Sequence, residues 1–198
     1  MEQMEFAFMN SRRNQGSSTD QGWETKCWEK PAEEVVKINY DSSSVGGSKS
    51  AGCGGTIRNH KGDGLGGFVN KIGYCPPLQA EAWGLLRSIQ LVKHLGFKNI
   101  VLEGDSTQLT RIFRDGAATR TPILNIVQAC KKELRIMESW RLATIPRETN
   151  AVADRMTKAS RYYPKGFHLL SQPPIDISNL MELDRLGCPN WCFMYNQG

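Results

Sequence analysis

Apolar and polar residues alternate from Glu34 to Asp41, with Val35, Lys37 and Asn39 on one side and Val36, Ile38 and Tyr40 on the other. That two-residue period predicts a β-strand. Ala51-Gly-Cys-Gly-Gly-Thr-Ile-Arg reads as a second strand, glycine-heavy, as suits a backbone that is approached closely. Asn59-His-Lys-Gly-Asp-Gly has the turn chemistry to join it to Leu65-Gly-Gly-Phe-Val, so three sequential antiparallel strands are predicted. The period then lengthens. Leu85, Ile89 and Val92 fall at helical spacing in a segment over about 78–95, stopped by Gly96. Residues 98–104 form an apolar strand, and Asp105-Ser-Thr opens a short helix carrying Leu109, Ile112 and Phe113. Pro122 starts another helix, with Ile123, Ile126, Val127, Cys130, Leu134 and Met137 on one stripe. Trp140-Arg-Leu-Ala-Thr-Ile predicts a fifth strand, and residues 149–161 a last helix with Val152, Met156 and Ala159 inward.

The order β-β-β-α-β-α-α-β-α places the chain in the α/β class. Three antiparallel strands followed by crossover units give a mixed five-stranded sheet with helices on its faces. Residues 1–30, rich in Ser, Asn, Gln, Gly and charge, read as a disordered leader, although Trp23 and Trp28 could dock. The domain spans 31–162. Residues 163–198, Pro-rich and weakly periodic, read as an irregular tail.

Composition narrows the class. At 198 residues there is material for one well-buried domain. No apolar run approaches the roughly 18 residues of a membrane span. The start does not read as a secretory signal, so an intracellular protein, nuclear or cytoplasmic, with six reduced cysteines is expected. Residues 106–165 hold twelve Lys or Arg against five Asp or Glu, whereas residues 1–105 balance at twelve each. A phosphate backbone suits such a surface, and a solubilising helix face would produce the same bias.

Four carboxylates fall where regular elements begin or end. Asp41 closes the first strand, Glu81 sits in the first turn of the long helix, Asp105 follows the fourth strand, and Asp154 lies early in the last helix. A fold that gathers such acids at one end of a sheet builds a pocket that divalent cations must fill, because like charges this close cannot all ionise unaided. Metal-assisted phosphodiester cleavage is the chemistry such a pocket serves.

Segments Lys37-Ile-Asn-Tyr-Asp, Gly52-Cys-Gly-Gly-Thr-Ile-Arg, Ala80-Glu-Ala-Trp-Gly-Leu, Glu103-Gly-Asp-Ser and Pro146-Arg-Glu-Thr-Asn-Ala-Val-Ala-Asp carry a resemblance. In that order, over about 28–162, they resemble the ribonuclease H family, above all the domains attached to plant non-LTR retrotransposon reverse transcriptases. The resemblance implies a ribonuclease H-like fold and an endonuclease that cuts the RNA strand of RNA–DNA hybrids. It implies two Mg²⁺ ions, with Mn²⁺ as a substitute, about 3.5–4 Å apart on Asp41, Glu81, Asp105 and Asp154. Oxygen-only ligands fit those metals better than zinc. Contacts to nucleic acid would fall to the Gly52, Cys53, Gly54 and Gly55 backbone, to Ser106, and to Arg147 and Asn150. The partners implied are a hybrid or other nucleic acid bound by a monomer, and a reverse transcriptase domain, fused or lost.

Two positions depart from that family's pattern. Ser42 follows the first acid where glycine is usual, and Thr144 stands where a histidine is thought to help product or metal leave. Thr cannot carry a proton at neutral pH as His can. The rival reading is therefore a weak or inactive remnant that grips nucleic acid without cutting it. Simpler roles compete at single residues as well. Acids at helix N-termini favour the dipole, Asp105-Ser106 can be a plain N-cap, and Glu148 and Asn150 can cap the last helix. Glu103 reads as a surface acid, Trp83 and Trp140 as core, and Cys188-Pro-Asn-Trp-Cys192 as half a zinc site with no second half.

Overall fold

The computed structural model describes residues 26–44, 50–116 and 122–188. The sheet is built outward from β1 (Val36–Ser44). β1 pairs antiparallel with β2 (Ala51–Arg58), which pairs antiparallel with β3 (Gly64–Gly73). On its other side β1 pairs parallel with β4 (Asn99–Gly104), and β4 pairs parallel with β5 (Ser139–Thr144). These are the five strands and the mixed pairing that the pattern predicts.

A sixth strand does not follow from that pattern. β6 (Gly166–Leu170) lies antiparallel to β3, so the order is β5-β4-β1-β2-β3-β6. Within the segment expected to be an irregular tail, Gly166–Leu170 thus extends the sheet and Ile175–Arg185 forms a helix. Five residues are too few for a period to stand out, and the strand is held by pairing with a distant one.

Helices cover both faces. α1 (Pro77–His94), α2 (Thr107–Asp115) and α3 (Pro122–Leu134) share a core with Ile38, Tyr40, Ile57, Phe68 and Leu102. The opposite face holds α4 (Ala151–Ala159), entered through a 3-10 turn at Arg147–Asn150, and α5 (Ile175–Arg185). There Val152 and Met156 pack with Val69, Ile177, Leu180 and Met181. Phe68 and Val69 are neighbours in β3 and enter different cores, as strand alternation requires.

β2 lies between α1 and α4, and close packing there depends on small residues. A Cβ on Gly54 would stand 2.8 Å from the α4 backbone at Met156 and Thr157, and one on Gly55 2.7 Å from the Asn39 carbonyl. A Cβ on Gly52 would strike the Ser160 side chain. Cys53 is fully buried facing α1.

The polar side of β1 is interior as well. Glu103, expected at the surface, is 5% exposed; it pairs with Lys37 at 2.8 Å and accepts from Asn39 Nδ2 at 3.0 Å. Arg58 Nη2 and Trp28 Nε1 both donate to Asn39 Oδ1, at 2.8 and 2.9 Å, and the guanidinium stacks 3.6 Å from the Trp28 ring centroid. Trp28 therefore docks, within the segment expected to be disordered. Trp23, Cys192 and most of the expected leader lie outside the described residues. The cysteines Cys27, Cys53, Cys75, Cys130 and Cys188 are free thiols. No described helix is long and apolar enough to cross a membrane.

Candidate metal centre

Parallel pairing sets Asn39 beside Glu103, so Asp41 and Asp105, each two residues further on, reach the same level at the C-terminal ends of β1 and β4. Glu81 comes from α1. Gly84, one turn later on the same helix, lets that helix lie against the sheet: a Cβ there would meet Tyr40 at 3.3 Å and the Asp41 carbonyl at 3.4 Å. Gly104 similarly leaves room for the Tyr40 ring, with a hypothetical Cβ only 2.7 Å from Tyr40 Cζ. Glu81 lies past the first turn of α1, which has no acid, so it is placed by packing and not by the helix dipole. The end of β1 is fixed from the other face too. Thr157 Oγ1 donates to the Asp41 carbonyl and Asn150 Nδ2 to the Tyr40 carbonyl, each at 2.9 Å.

The outcome is a cluster in which one carboxylate oxygen from each of Asp41, Glu81 and Asp105 lies within 4.8 Å of the others. Asp41 is buried and the other two are half-buried. Burial, followed by the Asp105 charge, pushes Asp41 up to about 7, against the Ser42 backbone N–H that favours its anion. Burial also pushes Glu81 up to about 8; the Ser42 hydroxyl opposes it, and the Asp41 and Asp105 charges add to it. Glu81 Oε2 is buried without a hydrogen-bond partner. Three convergent carboxylates, one with an unsatisfied buried oxygen, make a donor set that fits a hard divalent cation. Among the described residues this is the group of acidic, His or Cys side chains close enough to hold one.

Asp154 stands at the rim of this cluster. It lies in the first turn of α4, as expected, and is close enough to help raise Asp41. Its Oδ2 sits 2.5 Å from Lys158 Nζ, and its Oδ1 3.9 Å from Arg147 Nη2. The four expected acids therefore form a group of three and a fourth held by cations.

The expected nucleic-acid contacts divide. Arg147 is largely exposed beside Asp154, and Ser106 is half-buried with its hydroxyl accepting from the Leu109 N–H as the cap of α2. Gly52, Cys53, Gly54 and Gly55 are buried between α1 and α4, and Asn150 is buried beneath β1. These five residues are packed inside the protein; the close approach that glycine content signalled is made to Gly54 by α4 and to Gly55 by β1 and Phe68. The roles of Ser42, Lys158 and Thr157 were not read from the sequence. The spacing of Asp154 and Lys158, four apart in a helix, could have revealed their pairing. Nothing local marks Thr157 or the Ser42 bond to Glu81.

A family model described as reverse transcriptase-like matches residues 39–160. An Arabidopsis thaliana protein named as a ribonuclease H protein is 30% identical over 162 residues, 81% of this chain. The chain spans 26% of that protein's length. Among solved structures, the RNase H1 of the halophilic archaeon Halobacterium salinarum aligns with a TM-score of 0.60 at 24% identity, covering 65% of this chain and 98% of its own. LC11-RNase H1, solved in complex with an RNA/DNA hybrid, aligns with a TM-score of 0.54 at 24% identity, covering 61% of this chain and 92% of its own. At such identities the structural likeness speaks for the fold.

Proposed function

The chain belongs to the reverse transcriptase-like family and has a ribonuclease H-like fold, and on that footing we propose that it is a divalent-cation-dependent endonuclease acting on the RNA strand of RNA–DNA hybrids. The observation that carries this reading is the convergence of Asp41, Glu81 and Asp105. Those three would hold the metal, Mg²⁺ or Mn²⁺, with Asp154 joining from the rim. When bound, divalent cations supply an activated water and charge stabilisation for the leaving oxygen. The chain's own groups prepare the site. Burial and mutual repulsion push Asp41 up to about 7 and Glu81 to about 8, so cation binding at neutral pH would release protons from these carboxyls. Arg147, largely exposed at the rim beside Asp154, would meet a phosphate of the substrate. Ser106, at the N-terminus of α2, would lie beside the scissile strand.

Two observations favour slow turnover. Asp154 is engaged by Lys158, and Thr144, in the place of the family's histidine, donates its hydroxyl to Thr110 Oγ1 at 2.8 Å. The test is cleavage of a labelled RNA–DNA hybrid with Mg²⁺, with Mn²⁺ and with EDTA, alongside Asp105→Asn. Metal-dependent cutting of the RNA strand, lost in the variant, supports the enzyme. A folded protein that binds the hybrid in every arm and cuts it in none supports the binding remnant.

A further inference from the structure

We propose that Ser42 is a positioning residue for the metal centre, turning Glu81 so that Oε2 stands free to ligate a cation. The inference rests on the metal-centre reading above and assigns a role to a residue outside the acid cluster. Strand alternation puts Tyr40 and Ser42 on the α1 side of β1. The backbone there is firmly held: Asp41 pairs with Gly54, Ser42 with Cys53, and the Thr157 hydroxyl caps the Asp41 carbonyl. From that fixed point Ser42 Oγ donates to Glu81 Oε1 at 2.7 Å.

A serine hydroxyl has one proton to give. Given to Oε1, it leaves Oε2 buried and without a hydrogen-bond partner, on a carboxylate that belongs to the cluster. A glutamate has three side-chain torsions, and this bond selects among them before any ligand arrives. A buried carboxylate with one oxygen satisfied and the other bare is costly as it stands, and a cation bound to the bare oxygen removes that cost. Hydrogen bonds that orient carboxylate ligands commonly account for about 10–100-fold in metal affinity. Alanine or glycine at position 42 would leave Glu81 free to rotate, and threonine would keep the hydroxyl.

The test is Mn²⁺ binding to the full chain at pH 8 without nucleic acid, followed by electron paramagnetic resonance. It compares wild type, Ser42→Ala, Ser42→Gly, Ser42→Thr and Asp105→Asn, with circular dichroism to verify folding. The expected result is wild-type-like affinity in Ser42→Thr and a loss of about tenfold or more in the two variants lacking the hydroxyl. Equal affinity in wild type and a folded Ser42→Ala or Ser42→Gly overturns the role of Ser42 while the metal centre stands. A folded Ser42→Thr as weak as the hydroxyl deletions overturns it too. No binding by wild type, or unaltered binding by Asp105→Asn, overturns the metal centre itself and this inference with it.

Discussion

Arg58 Nη1 lies 2.6 Å from Asp184 Oδ2, with both side chains out of solvent. The pair joins a central strand of the sheet to α5, a helix beyond the residues that the family model matches. Asn39 and Trp28 complete the surroundings of the guanidinium, so residues from both sides of the matched region close over one buried charge. A buried ion pair contributes little net stability when whole, yet removing one partner leaves an uncompensated charge inside the protein.

Removing α5 by truncation after Tyr162, or replacing Asp184 with Ala, therefore strands Arg58. The expected loss is about 3–5 kcal/mol for Asp184→Ala, and more for the truncation, which also bares Val152 and Met156. Urea denaturation measures it. A truncated chain as stable as the full one would refute the joining role of α5.

Replacing Asp105 with Asn has two consequences of opposite sign. Hybrid cleavage should fall at least a hundredfold, because a charged ligand is gone. Metal-free stability at pH 8 should rise, because the Asp105 charge raises both Asp41 and Glu81. A gain in melting temperature on the order of 5 °C is expected in EDTA. A variant that loses both activity and stability would mean that Asp105 is structural.

The same carboxylates make stability depend on pH. Their folded pKa values, about 7 and 8, lie above the unfolded values near 4, so the folded state binds more protons in between. Without metal, their contribution is most favourable below about pH 4 and is lost as pH rises through about 7 to 8. Mg²⁺ should oppose that loss, raising the melting temperature more at pH 8 than at pH 5. Thermal melts at both pH values, with and without Mg²⁺, check the sign.

Gly54 tests the packing of β2. An added methyl group would stand 2.8 Å from the α4 backbone, where no flexible side chain can yield. Gly54→Ala should cost about 1–3 kcal/mol in urea denaturation. It should weaken cleavage as well, since α4 supplies both Thr157 and Asp154.

Much of this architecture was legible in the chain. The period of two in β1, the period of 3.6 in α1 and α3, and the turn at 59–64 place five strands and four helices in order. The family match covers residues 39–160, most of that order. The acids Asp105 and Asp154 sit at element ends, which a linear reading can see; Asp41 does not close β1, which runs on to Ser44. Glu103 was misplaced because a polar residue in a strand reads as solvent-facing. Here that side is buried beneath partners from β2, β4 and α5, which no local pattern encodes.

The sequence by itself determined the class of fold, the order of elements along the chain and the candidate acids, because periodicity and element ends are local properties. Only the tertiary structure decided which acids converge, that Asp154 stands at their rim, and that Ser42 bonds to Glu81. It also decided that Gly54 of β2 lies against α4 and that Gly166–Leu170 extends the sheet. The physical reason is common to all of these: each depends on distances between residues far apart in the chain, set by register and close packing and not by the sequence around either residue.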